Sequence, residues 1–242
     1  MTTIAVVPGI ESSRPKLVAP RWHTVLFITL FLGLMFSGAL FQRQAQSQPG
    51  RLPQHSAHVV PLYLSLIAME WGLFLYVWKG GLRRSGTKLS ELIGGKWLSL
   101  RDVVVDASLA LGLWGTWMIV EKGWDRWLGA GHAVSIQTLL PRRAIEILLW
   151  VGVSISAGIC EEVVFRGYFQ RQFEVFTRSK WIALFLQATL FGISHGYQGV
   201  EACVRIAIFG VLYGLLARWR QSLRPGMIAH AGSDILSGIF GI

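Results

Sequence analysis

The chain has 242 residues, of which 52% are hydrophobic and 15% charged, with a mean hydropathy of +0.48 and a net charge of +10. An average soluble domain carries about 25% charged residues, so this balance excludes an ordinary cytosolic globular protein and indicates a multi-pass membrane protein. Cys160 and Cys203 are the only cysteines and both lie in apolar segments, which excludes a disulfide framework or a Cys-based metal site.

A hydrocarbon core about 30 Å thick requires about 17–25 apolar residues of a helix. Seven runs meet that requirement, so the sequence predicts an all-α, polytopic membrane helix bundle of about seven transmembrane helices. Residues 1–23 read as a polar tail, 24–143 as three transmembrane helices with their loops, and 144–242 as the helical core that carries the chemistry. The first span is expected at 24–41. No short basic start precedes it, so it reads as retained, with SGA at 37–39 as the mark of the alternative, a cleaved signal. A Gln- and Pro-rich loop follows at 42–54, then the second span at 59–78. The Gly-punctuated basic stretch 79–96 reads as a loop that lies on anionic headgroups. The third span is expected at 103–120, and the remaining four at 144–169, 181–199, 200–219 and 225–242.

The positive charge follows this topology. With the N-terminus in the cytoplasm, sixteen of the 23 Lys and Arg residues fall inside and six outside, Arg205 lying within a span. That asymmetry is the positive-inside rule, and it accounts for the basic balance without nucleic acid as a partner. The expected location is the plasma (cytoplasmic) membrane, with the lipid bilayer itself as a partner. Trp22, Trp78, Trp97, Trp181 and Trp219 near the inner edges, and Trp124 and Trp127 outside, fit interfacial belts.

Ionisable groups at membrane depth cost several kcal/mol unless paired or hydrated, so their default reading is functional. They gather in the half after residue 144. In the stretch CEEVVFRGYFQ, Glu161 and Glu162 cannot share a helix face, whereas Glu162 and Arg166 at i, i+4 form a favourable pair. Glu161 is left without a local partner, as suits a general base. FGISH places Phe191 one turn before His195, and HAGSD places His230 and Asp234 on one face. A lone histidine on a helix is usually a structural hydrogen-bonder, but a hairpin turning near 177–180 brings Glu161 and His195 to similar height. His230 lies about 9 Å along its helix from Arg224, and Glu161 about 7.5 Å from Arg166, which predicts a site just below the cytoplasmic surface.

EEVVFR, FGISH and HAGSD resemble, in order, the EExxxR, FxxxH and HxxxN/D motifs of the CPBP (Abi, or type II CAAX prenyl endopeptidase) intramembrane proteases. The resemblance covers about 144–242, and the first three spans carry no motif. It implies that Glu161 and His195 activate a water, that His230 stabilises the oxyanion with Asp234 beside it, and that Glu162 with Arg166 holds the helix. Asp234 departs from the Asn of many members. An ionised Asp cannot donate to an oxyanion, so it is either protonated, or orients His230, or serves a metal. Glu161, His195, His230 and Asp234 make an acceptable zinc set. Without HExxH, the metal-free reading is preferred, with no cofactor.

The expected function is therefore an intramembrane endopeptidase that acts on a peptide or membrane-anchored protein near the cytoplasmic face. The alternatives are a non-catalytic immunity or scaffold protein of the same fold, and a transporter or proton relay. Elsewhere, Glu70 and Arg205 are expected to neutralise one another, with Glu201 also at i, i+4 from Arg205. His23, His55, His58 and His132 are expected to be solvated.

Overall fold

The fold comes from a computed structural model that describes residues 16–46, 59–128 and 139–240, with side chains omitted for 38–46. Every regular element in these segments is helical. The first is α1 (Arg21–Gln46), which continues past the expected end at 41. Next, α2 (Val59–Leu75) runs on through a π-helical turn, Tyr76–Gly81, and a 3-10 turn, Leu82–Ser85. Short α3 (Leu89–Ile93) precedes α4 (Leu100–Leu128). The fourth span is one continuous rod built of α5 (Ala144–Glu161), a π-helical turn (Glu162–Phe169) and α6 (Gln170–Thr177). It is followed by α7 (Lys180–Ser194), α8 (Val200–Arg220) and α9 (Arg224–Phe240).

Local sequence sets several boundaries. Asp102 accepts hydrogen bonds from the Leu98 and Ser99 amides and from Ser99 Oγ, while Ser99 Oγ takes the Asp102 amide, a reciprocal cap that starts α4. Glu146 receives the Arg142 and Arg143 amides at 2.8 and 3.1 Å at the start of α5. Arg178 and Gln221, both left-handed, end α6 and α8.

Helices thus form at all seven expected positions. Val59–Ser85, Leu100–Trp127, Ala144–Thr177 and Val200–Arg220 are long and apolar enough to cross a membrane, and the chain is an integral membrane protein. α7 and α9 are shorter, with 15 and 17 residues. The 34-residue rod is about 51 Å long, more than a bilayer core of about 30 Å, so it tilts or carries an end beyond the hydrocarbon.

Small residues bring these helices together, as expected where lipid offers no hydrophobic drive for association. α5 and α9 run antiparallel, and a Cβ on Gly158 would stand 2.9 Å from Met227 O and from the Ala231 backbone nitrogen. At Gly192 in α7 a Cβ would collide with Cys203 O of α8. α2 lies parallel to α5, with Ile67 against Gly152 and Trp71 Nε1 donating to Ser156 Oγ at 3.1 Å.

The loops and the end of the tail differ from expectation. Val18, Ala19 and His23 are buried. Gln172 of α6 clasps this segment: Oε1 receives the Val18 amide at 2.8 Å, and Nε2 donates to Ala19 O at 3.0 Å and Thr24 Oγ1 at 2.6 Å. His23, expected in solvent, stacks on Tyr76 and bonds Tyr168 OH at 2.7 Å, because Gly80 and Gly81 leave room for its ring. His55, His58 and His132 lie outside the described residues. Part of the basic stretch folds inward, with Leu82 and Leu92 buried and the Ile93 carbonyl receiving the Leu223 amide at 2.9 Å.

Three substitutions test this packing. Gly158→Val is expected to lower stability by about 1–3 kcal/mol through overpacking against α9, read as a reduced melting temperature of the detergent-solubilised protein. Gly112→Ala, at an open helical position, should keep or raise it. Gln172→Leu should expose the 16–20 segment to limited proteolysis while the bundle melts as one unit.

Candidate active site

The site grows from the junction of α5 with its π-helical turn. Glu161 is the last residue of α5 and Glu162 the first of the turn. A π turn inside an α-helix alters the angular spacing of the side chains around it and recurs at functional sites. Every residue of this turn, Glu162 to Phe169, is buried.

Glu162 and Arg166 form an ion pair at 3.0 Å with both side chains fully buried. The remaining guanidinium nitrogens make no hydrogen bond. They face aromatic rings instead: the Arg166 guanidinium carbon lies 4.2 Å from the Phe191 centroid, 5.5 Å from Tyr213 and 5.8 Å from Phe209. Cation–π attraction in a desolvated setting is worth about 2 kcal/mol and satisfies a cation without solvent.

His230 enters from α9, where Gly226 lets the helix approach Glu162. Its Nδ1 stands 3.1 Å from Glu162 Oε1. A carboxylate already engaged by a guanidinium accepts, so Nδ1 carries a proton. Nε2 faces the other way, 3.6 Å from Glu161 Oε2 and 3.7 Å from Asp234 Oδ2. These separations exceed a direct hydrogen bond. The imidazole therefore bonds Glu162 and lies near Glu161, two residues about 100° apart on an ideal helix. Glu161 Oε2 makes no direct hydrogen bond, and it has His230 of α9 as a titratable neighbour. The cluster opens on one side only, with the Asp234 side chain 38% exposed while that of Glu162 is fully buried.

His195 caps α7. Its Nδ1 is 3.0 Å from Phe191 O and 3.0 Å from Ser194 Oγ. A carbonyl only accepts, so the proton sits on Nδ1 and Nε2 presents a lone pair. The Phe191 ring stands between the two histidines, with centroids 5.1 Å from His195 and 6.1 Å from His230. Glu161, Glu162, His230 and Asp234 are thus brought into one cluster, and His195 lies across Phe191 from His230. Among the described residues no three His, Cys, Asp or Glu side chains are arranged to hold a metal ion.

Sequence reasoning misplaced Glu70. It does not meet Arg205, which pairs with Asp125 at 3.4 Å and, as expected, with Glu201 at 3.6 Å. Glu70 is buried in α2 beside Glu161 and within electrostatic reach of Asp234. Its signal was available: an acid in an apolar run with no cation three or four residues away. The π turn left no such signal. A cavity of about 710 Å³ opens at the end of the bundle, with Arg166 and Gln170 in its wall and none of Glu161, His195 or His230.

Neither the curated proteins nor the solved structures contain a match to the chain. The family described as Type II CAAX prenyl endopeptidase Rce1-like matches residues 143–236, the segment that contains α5 to α8, most of α9 and every motif of the cluster. This segment, less than half of the chain, is similar to the type II CAAX prenyl endopeptidase Rce1-like family.

Proposed function

We propose that the chain is an intramembrane endopeptidase that hydrolyses a peptide bond by water activation, with Glu161 as general base and His195 as its partner. The observation that carries this reading is the cluster at His230 Nε2, with Glu161 and Asp234 at 3.6 and 3.7 Å and the Asp234 side chain part-exposed. In the proposed step Glu161 takes a proton from the water as its oxygen adds to the peptide carbonyl. His195 Nε2, the lone-pair face, orients or shares that proton. His230 donates Nδ1–H to Glu162 and, as imidazolium, Nε2–H to the oxyanion. Asp234 flanks the same nitrogen and favours the imidazolium, which gives its carboxylate a role that an amide at this position would not have. Glu161 then returns the proton to the leaving amine.

The substrate class supported by the family is a membrane-anchored protein or peptide. The bias of Lys and Arg supports cleavage near the cytoplasmic face of the plasma membrane with the N-terminus in the cytoplasm. All the groups this reading requires are the chain's own side chains and water, with no metal or other cofactor.

The test is comparative mass spectrometry of membrane peptides from cells that carry the native chain or its variants. Glu161→Gln and His195→Ala should each reduce cleavage by about 100-fold or more while insertion persists; full cleavage by both removes these residues from the chemistry. Glu162→Ala should lower folded yield instead, since breaking a buried ion pair costs about 3–5 kcal/mol. Activity should persist with a membrane-permeant chelator, and loss reversed by zinc would replace the metal-free step.

A further inference from the structure

His230 and Asp234 both ride on α9, so their placement depends on how that helix is held. Toward its N-terminus the hold is Glu162, whose Oε1 stands 3.1 Å from His230 Nδ1 where Gly226 lets the segments close. In the middle, Gly158 of α5 packs on Met227 and Ala231. Toward the C-terminus the hold is an indole. Trp150 of α5 donates its Nε1–H to the backbone carbonyl of Asp234 at 2.8 Å. The same ring takes the space of a side chain at Gly238, where a Cβ would collide with Nε1.

An indole N–H inside a membrane protein finds some acceptor wherever it lies, so the bond alone would be ordinary. The shape of the contact makes it specific. Within α9 the Asp234 carbonyl already receives a helical amide, so Trp150 fills its second lone pair, and the loss of the indole leaves no orphaned acceptor. The turn from Asp234 to Gly238 is thus gripped both by a hydrogen bond and by fit. A slip of α9 by one residue would carry it about 1.5 Å along its axis and turn it by about 100°. That slip would break the grip and take the imidazole away from Glu162. Trp150 is itself braced: its ring meets Tyr63 of α2 edge-on at 5.4 Å, and the fully buried Tyr63 donates its hydroxyl to the Leu139 carbonyl ahead of α5.

We propose that Trp150 is a positioning residue for the His230–Asp234 pair: its indole, seated on the turn from Asp234 to Gly238, holds α9 where the Asp234 carboxylate stands 3.7 Å from His230 Nε2. Trp150 acts through Asp234 and takes no part in the bond changes. Its effect on turnover rests on the reading of His230 and Asp234 as groups of an active site, whereas its effect on their placement does not.

Two variants release the grip in different ways. Trp150→Phe keeps a ring and deletes the donor, and Gly238→Ala keeps the donor and fills its seat. Nitrogen NMR of the full chain in lipid, with isotope-labelled histidine, reads the placement without any need for cleavage, the His230 signals being assigned by their loss in His230→Gln. In both variants the Nε2 resonance should leave its native position toward that of Asp234→Asn. A resonance that stays native in both, or that Asp234→Asn itself leaves unmoved, overturns the proposal. Kinetics on a peptide identified by the comparative mass spectrometry test the positioning. Trp150→Phe should lower kcat by about tenfold or more with KM within about twofold. In an Asp234→Asn background it should lower kcat by less than about a further twofold. An equal loss in both backgrounds, or a lower melting temperature with native kcat, overturns the positioning role. Absence of cleavage by the native chain, with the Nε2 pattern as expected, would overturn the protease reading and uphold the placement.

Discussion

The burial of the Glu162–Arg166 ion pair is the constraint around which the rest is arranged. Two charges with no exposed surface need each other, and they also need their remaining hydrogen-bonding and electrostatic capacity filled. Glu162 fills its share with His230 Nδ1 on α9. Arg166 fills its share with Phe191 on α7 and with Phe209 and Tyr213 on α8. One pair on the fourth rod thereby collects the three helices that follow it. The proton on His230 Nδ1 is a consequence of this arrangement, and so is the direction in which Nε2 points.

Close approach of the backbones is what allows short polar side chains to meet across helices. Gly158 lets α9 reach α5, Gly226 lets α9 reach Glu162, and Gly192 lets α8 reach α7. With larger residues at these places, helix axes would stand farther apart, and a separation of 3.1 Å between His230 and Glu162 would become a gap. The glycines along the outer face of α4, such as Gly112 and Gly115, meet nothing within 4 Å and serve no such contact. Packing and chemistry thus share residues in the C-terminal half and separate in the N-terminal half.

The length of α7 adds a second consequence. At 15 residues, about 22 Å, it runs back along the rod only as far as the level of Glu161, and the chain turns there through Gly196–Gln198 before α8 begins. Irregular backbone at membrane depth persists only where protein covers it or water reaches it. His195 stands at that turn, half-buried, with Nδ1 tied to the Phe191 carbonyl. A histidine there is placed by a helix end.

The sequence by itself determined the all-helical membrane bundle, because apolar runs of bilayer length leave the backbone no other way to satisfy its polar groups. It also determined the Glu162–Arg166 pair, since a spacing of four on one helix is a local relation. Likewise local was the grouping of His230 with Asp234. What lay between helices was not legible. The burial of Glu70 was decided by which face of α2 packs inward, the burial of His23 by the slot at Gly80 and Gly81, and the position of His195 by the early end of α7. The meeting of His230 with Glu162, and its nearness to Glu161, depended on the approach of α9, which no spacing along α5 encodes. Spacing along one helix fixes angles about its own axis, and only tertiary packing fixes which neighbour those angles meet.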